Sequence, residues 1–131
     1  REKSGLAYST YAFSSAYSDS GSFAMYAGCA PRNLSEVQKV MWGELEKLAD
    51  KGPSDKELSR SKGQIRGGVT LNLEDTGSRM SRLARAELVG ELTSVSDALA
   101  RIDAVHGEDV QAVARLMLET NSASAIVSSN D

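Results

Sequence analysis

The stretch Leu6-Ala-Tyr-Ser-Thr-Tyr-Ala-Phe-Ser-Ser-Ala-Tyr17, then Ser18-Asp-Ser-Gly-Ser22, then Phe23-Ala-Met-Tyr-Ala-Gly-Cys-Ala30, is where the fold class is decided. It shows no apolar stripe at helical spacing. Instead it interposes Tyr8, Thr10, Tyr11, Phe13, Tyr17, Phe23 and Tyr26, residue types that suit a pleated surface. The interruption from Ser18 to Ser22 is rich in turn formers, so the stretch reads as a strand from Leu6 to Tyr17, a turn, and a strand from Ser22 to Ala30, paired antiparallel. A serine-rich linker would have no reason to carry these regularly spaced aromatics.

Downstream, the pattern changes period. Pro31 ends the second strand, and Asn33 with Glu36 offers a capping box to a helix with Leu34, Val37, Met41, Leu45 and Leu48 on one stripe. Gly52-Pro53 stops it, and Ser54 with Glu57 repeats the capping logic for a second helix bearing Leu58, Ile65 and Val69, to about Leu73. Gly63, Gly67 and Gly68 each weaken that helix by roughly 1 kcal/mol relative to Ala, so close packing or a bend is expected there. Asp75 or Thr76 caps a third helix with Met80, Leu83, Ala84, Glu87 and Leu88 on one side, ending near Gly90. Ser94 caps a fourth with Val95, Leu99 and Ile102, and a fifth runs from about Gly107 with Val110, Val113, Ala114 and Met117. The β-branched run from Ser124 to Ser128 reads as a returning strand. Strands first, helices next and a strand last predict an α+β fold, an antiparallel β-sheet with helices packed on one face.

The chain has 131 residues, enough for one small domain or part of a larger one. Hydrophobic residues make up 40% and charged residues 25%, an ordinary globular balance that speaks against disorder. No apolar run approaches the roughly 20 residues that span a bilayer, so no membrane partner is expected. The net charge of −3 argues against a nucleic-acid partner. Arg79, Arg82 and Arg85 form a basic run at helical spacing, read as a solvated helix face beside Glu87. Cys29 is the single cysteine, so no internal disulfide forms, and in an alternating segment it reads as a small buried hydrophobe. With no initiator Met and no leader pattern, the chain reads as an N-terminally truncated fragment.

Independent catalysis finds no support in the residues. A catalytic zinc needs about three protein ligands, and this chain has one histidine, His106, which reads as a flank or imperfect cap of the Gly107 helix. No serine stands in a Gly-x-Ser-x-Gly elbow, and only His106 could serve as the base of a triad. Gly63-Gln-Ile-Arg-Gly67-Gly68 lacks the Lys-Ser/Thr ending and the preceding strand of a phosphate loop.

Four motifs nevertheless point in one direction: Arg1-Glu-Lys-Ser-Gly-Leu-Ala-Tyr8, Tyr8-Ser-Thr-Tyr-Ala-Phe13, Gly28-Cys-Ala-Pro31 and Leu73-Glu-Asp-Thr-Gly-Ser-Arg-Met80. With them the chain resembles, from Arg1 to about Val127, the C-terminal half-domain of insulinase and pitrilysin-family zinc metallopeptidases, in the bacterial relatives of the mitochondrial processing peptidase. The resemblance implies that residues 1–131 are the non-zinc-binding peptidase half-domain, inactive alone, and that zinc, its H-x-x-E-H helix and the general base lie in the missing half. It also implies that Arg1 and Tyr8 bind the substrate backbone, and that Tyr8 is catalytic as a donor to the transition-state oxyanion.

The implied partners are a peptide substrate and the zinc-binding half, carried by the same protein or by a partner subunit. A homo-oligomer formed through an unpaired sheet edge is a further expectation, and the expected location is cytoplasmic. Departures from the family pattern are Ser4 where a basic residue is common, His106-Gly107 in place of a Thr-containing cap, and an end, Val127-Ser-Ser-Asn-Asp131, without Gly-Pro. The alternative functional readings are a non-catalytic homologue acting as a core-type or assembly subunit, and a free-standing interaction domain.

Overall fold

The computed structural model of the chain describes residues 5–90 and 93–128. The element order is β1 (Ala7–Ala16), β2 (Gly21–Cys29), a 3-10 turn (Pro31–Asn33), α1 (Leu34–Lys51), α2 (Asp55–Asn72), α3 (Thr76–Val89), α4 (Val95–Ala104) and α5 (Gly107–Glu119). The fold is α+β, as the sequence predicts. Two compact units divide it: the chain through Lys51 together with the chain from Gln111 onward, and Gly52–Val110.

In the first unit, β1 and β2 pair antiparallel, with Tyr11 opposite Tyr26, Ala12 opposite Met25 and Ala16 opposite Gly21. The connection closes where the Tyr17 amide donates to the Ser20 carbonyl at 2.9 Å. Successive residues of a strand face opposite sides, and the two sides differ. Met25 packs against a cluster of Leu45 and Ala49 from α1 and Ala114 from α5, with Leu48 and Met117 beside it. On the other side Tyr11 and Tyr26 stack at 4.6 Å between centroids, with Phe13 6.0 Å from Tyr11.

Side chains of α5 complete the end of α1. Its last carbonyls have no intrahelical donor; Arg115 Nε donates to the Ala49 carbonyl at 2.8 Å and Gln111 Nε2 to that of Asp50 at 2.7 Å. Gly52 then turns the chain at φ 68°, a left-handed conformation in which a glycine meets no Cβ penalty.

The second unit is organised by helix ends. Ser54 and Glu57 form the expected capping box, with the Ser54 amide donating to Glu57 Oε2 at 2.9 Å and the Glu57 amide to Ser54 Oγ at 3.4 Å. Asp75 caps α3 by accepting from the Ser78 amide at 2.6 Å, Ser94 caps α4 by accepting from the Asp97 amide at 3.1 Å, and Gly90 ends α3 at φ 74°. Between helices, Lys62 Nζ donates to the Asp103 carbonyl at 2.8 Å and Arg66 pairs with the Asp103 carboxylate, tying α2 to α4.

Three expectations need correction and a fourth is narrowed. Asn33 lies in the 3-10 turn rather than in a capping box, and its side-chain amide donates to the Leu6 carbonyl at 3.1 Å. A proline at the first position of that turn tightens the entry to α1, which frees the asparagine for a long-range bond. A β-carbon on Gly63, Gly67 or Gly68 would meet nothing within 4 Å, so these glycines mark no close packing, and α2 runs continuously through them. Residues 124–128 form no strand, with Ile126 and Val127 exposed, since β-branched composition yields a strand only where an edge accepts it. Cys29 is half-buried rather than enclosed.

Candidate substrate-contact site

Of the two residues named from the sequence, Arg1 lies outside the described residues and Tyr8 stands on β1. The register shows why Tyr8 is unusual. Ala7 pairs with Cys29 and Ser9 with Gly28, so Tyr8 is the extra residue of a β-bulge. Bulges re-aim the side chain they carry. The chain leading into it is held: Gly5 turns at φ 61°, and the Asn33 amide fixes the Leu6 carbonyl two residues before Tyr8.

By simple alternation Tyr8 would share the side of Thr10 and Ala12, whose partner Met25 packs on the helices. Its ring stands elsewhere. A β-carbon built on Gly28, opposite Ser9, would fall 2.5 Å from Tyr8 Cε2, 2.8 Å from Cζ and 2.7 Å from Ser9 Oγ. The ring therefore lies over Gly28 on the side that carries Ser9, Tyr11 and Tyr26. There the residue is 70% exposed, with Tyr11 and Phe13 at 56% and 50%. This open sheet face of phenols beside a pleated backbone offers hydrogen-bond donors and apolar surface to an extended peptide. Sequence reasoning named Tyr8 and missed Gly28; the signal available was an isolated glycine inside a strand pattern, which marks a bulge or a close approach.

No zinc site assembles from these elements. Among the described residues no three His, Cys, Asp or Glu side chains come together. His106 sits just before α5, its amide donating to Asp109 Oδ2 at 2.7 Å and its carbonyl accepting from the amides of Asp109 and Val110. That is the flank read from the sequence, at the start of α5. The residues described here do not fit a catalytic metal.

Arg79 and Arg82 line a cleft of about 360 Å³ in the second unit with Leu73, Leu83 and Val95, and Arg82 Nη1 donates to the Thr93 carbonyl at 2.9 Å. Among the described residues no helix is long and apolar enough to cross a membrane.

Comparison with known proteins gives consistent results. The sequence profile of the "Peptidase M16 inactive domain" matches residues 1–65. An uncharacterized zinc protease of Streptomyces coelicolor is 48% identical over 119 residues, covering 90% of this chain and 26% of that protein. One of Mycobacterium tuberculosis is 41% identical, covering 97% and 29%, and one of Bacillus subtilis is 36% identical, covering 98% and 32%. The chain thus spans between a quarter and a third of the length of these relatives. Among solved structures, a conserved protein from Enterococcus faecalis superposes with a TM-score of 0.74 at 28% identity, over 88% of this chain and 27% of that one.

Proposed function

The chain belongs to the peptidase M16 family as its inactive domain, and from this we propose that it is the substrate-contacting part of a zinc-dependent metalloendopeptidase that cleaves peptides between two related halves. The observation that carries the reading is the exposed Tyr8 phenol, turned by a bulge onto the open face of the hairpin. When water adds to a peptide carbonyl, negative charge gathers on its oxygen. A phenol O–H aimed at that oxygen donates a stronger hydrogen bond to the oxyanion than to the ground-state carbonyl, so it lowers the barrier rather than only tightening binding. Arg1, a fixed cation with several donors, suits the carbonyl oxygens of the bound peptide backbone. This reading assigns zinc and the base that activates water to the remainder of the protein, since this chain spans only between a quarter and a third of the relatives named zinc proteases.

The test is Tyr8→Phe in the whole protein, with peptide hydrolysis measured under saturating and limiting substrate. Loss of one such donor lowers kcat by about 10² to 10³, with KM nearly unchanged. Equal kcat and equal KM in the variant would refute the role. A wild-type protein that binds peptide without cleaving it would identify a non-catalytic homologue instead.

A further inference from the structure

We infer that Gly28 is a positioning residue for Tyr8, leaving vacant the space in which the phenol ring stands on the open face of the hairpin. Glycine is not required at this position by the backbone: the positive-φ glycines among the described residues are Gly5, Gly52 and Gly90. Gly28 takes an ordinary strand conformation and pairs with Ser9 in the ladder. What distinguishes it is lateral space. It is buried, while its neighbours Ala27 and Cys29 are half-buried. A β-carbon there would stand 2.5 and 2.8 Å from two ring atoms of Tyr8, closer than real β-carbons approach anything.

Of the atoms that would meet it, Ser9 Oγ is a single rotor that can swing to another staggered position. The Tyr8 ring is a rigid plane on a bulged residue, and it yields only by changing χ1 or by shifting the bulge. Bulge and glycine therefore act together. The bulge turns Tyr8 away from the helix-packed side, and the missing side chain across the ladder gives the ring a seat. Alanine at position 28 would push the phenol off that seat while leaving the backbone pairing possible.

The functional half of this inference rests on the reading of Tyr8 as an oxyanion donor; the structural half does not. Two double-variant cycles on the whole protein separate them. In the kinetic cycle, Gly28→Ala is expected to lower kcat by about 10², the loss that a misplacement near 1 Å produces. Tyr8→Phe combined with Gly28→Ala should then be no slower than Tyr8→Phe alone, since a phenylalanine has no donor left to misplace. In the thermal cycle, Gly28→Ala should lower Tm when Tyr8 is present and have no effect when Tyr8→Ala has removed the ring.

Full turnover in Gly28→Ala alongside a slow Tyr8→Phe overturns the positioning role. So does additivity in the kinetic cycle. If Tyr8→Phe is as fast as wild type, the oxyanion reading fails by itself, and the thermal cycle still decides whether Gly28 seats the ring: coupling keeps the contact and additivity ends it. Should Gly28→Ala not yield folded protein, the same comparison applies, with rescue by Tyr8→Ala supporting the inference and failure of rescue ending it.

Discussion

The two units of this chain are specified by different physics. In the first, Val37, Leu45, Ala49 and Ala114 are buried, with a sheet on α1 and the side chains of α5 completing the end of α1. In the second, α2, α3 and α4 contain no buried residue among those described, and Ile65, Leu71, Met80 and Leu88 are all more than half exposed. Yet the helix starts of the second unit are the more sharply marked, by Ser54, Asp75 and Ser94. Capping locates a helix along the chain; burial determines what it is pressed against. One can be strong where the other is weak.

The largest expected effect sets the units apart directly. Leu45→Ala empties a buried site and should cost about 2–5 kcal/mol in urea unfolding of the chain. Met80→Ala, at 67% exposure in the second unit, should stay within about 0.5 kcal/mol of wild type. Comparable losses at the two positions would mean that the second unit holds its stripe as firmly as the first.

Next comes the cap. Ser54→Ala removes the side-chain half of the capping box, while the backbone amide at position 54 can still donate to Glu57, and is expected to cost about 1 kcal/mol, with faster hydrogen exchange at the Glu57 amide. Unchanged exchange would show that α2 does not depend on its cap.

A smaller effect is expected for Arg66→Ala. Its pair with Asp103 joins two roughly half-exposed groups, so the loss should lie between about 0 and 1 kcal/mol. It should also shrink in 1 M salt, where screening acts over about 3 Å. A loss insensitive to salt would assign the contribution to packing of the arginine stem.

The smallest is confined to acid. Hydrogen bonds from Ser78 hold the Asp75 carboxyl below its ordinary value of 3.8. A depressed folded value means that the carboxylate stabilises the fold above 3.8 and that this contribution is lost as pH falls through the lower folded value. The stability difference between wild type and Asp75→Asn should therefore shrink in that acid window. A difference that holds steady from about pH 6 to about pH 2 would remove the charge from the account of this cap.

Much of the fold was legible because its causes are local. The turn formers between Tyr17 and Gly21, the Ser54 and Glu57 pair, Asp75 at one end of α3 and Gly90 at the other act within a few residues, and those element ends fall within a residue or two of where the sequence puts them. Asn33 departs from its local pattern for the same reason: its partner, Leu6, is 27 residues away, outside any local rule. The run from Ser124 to Ser128 has the composition of a strand, but pairing needs an edge that composition cannot supply.

The candidate site divides along the same line. Residue pattern alone places the start of a hairpin near Tyr8 and capped helices after it. Which way Tyr8 faces depends on how the two strands pair. Strict alternation would send it toward the helices, and the slip of one residue between Ala7–Cys29 and Ser9–Gly28 turns it to the open side. That slip is a relation between two strands, as is the space above Gly28. Periodicity along one strand carries no record of either.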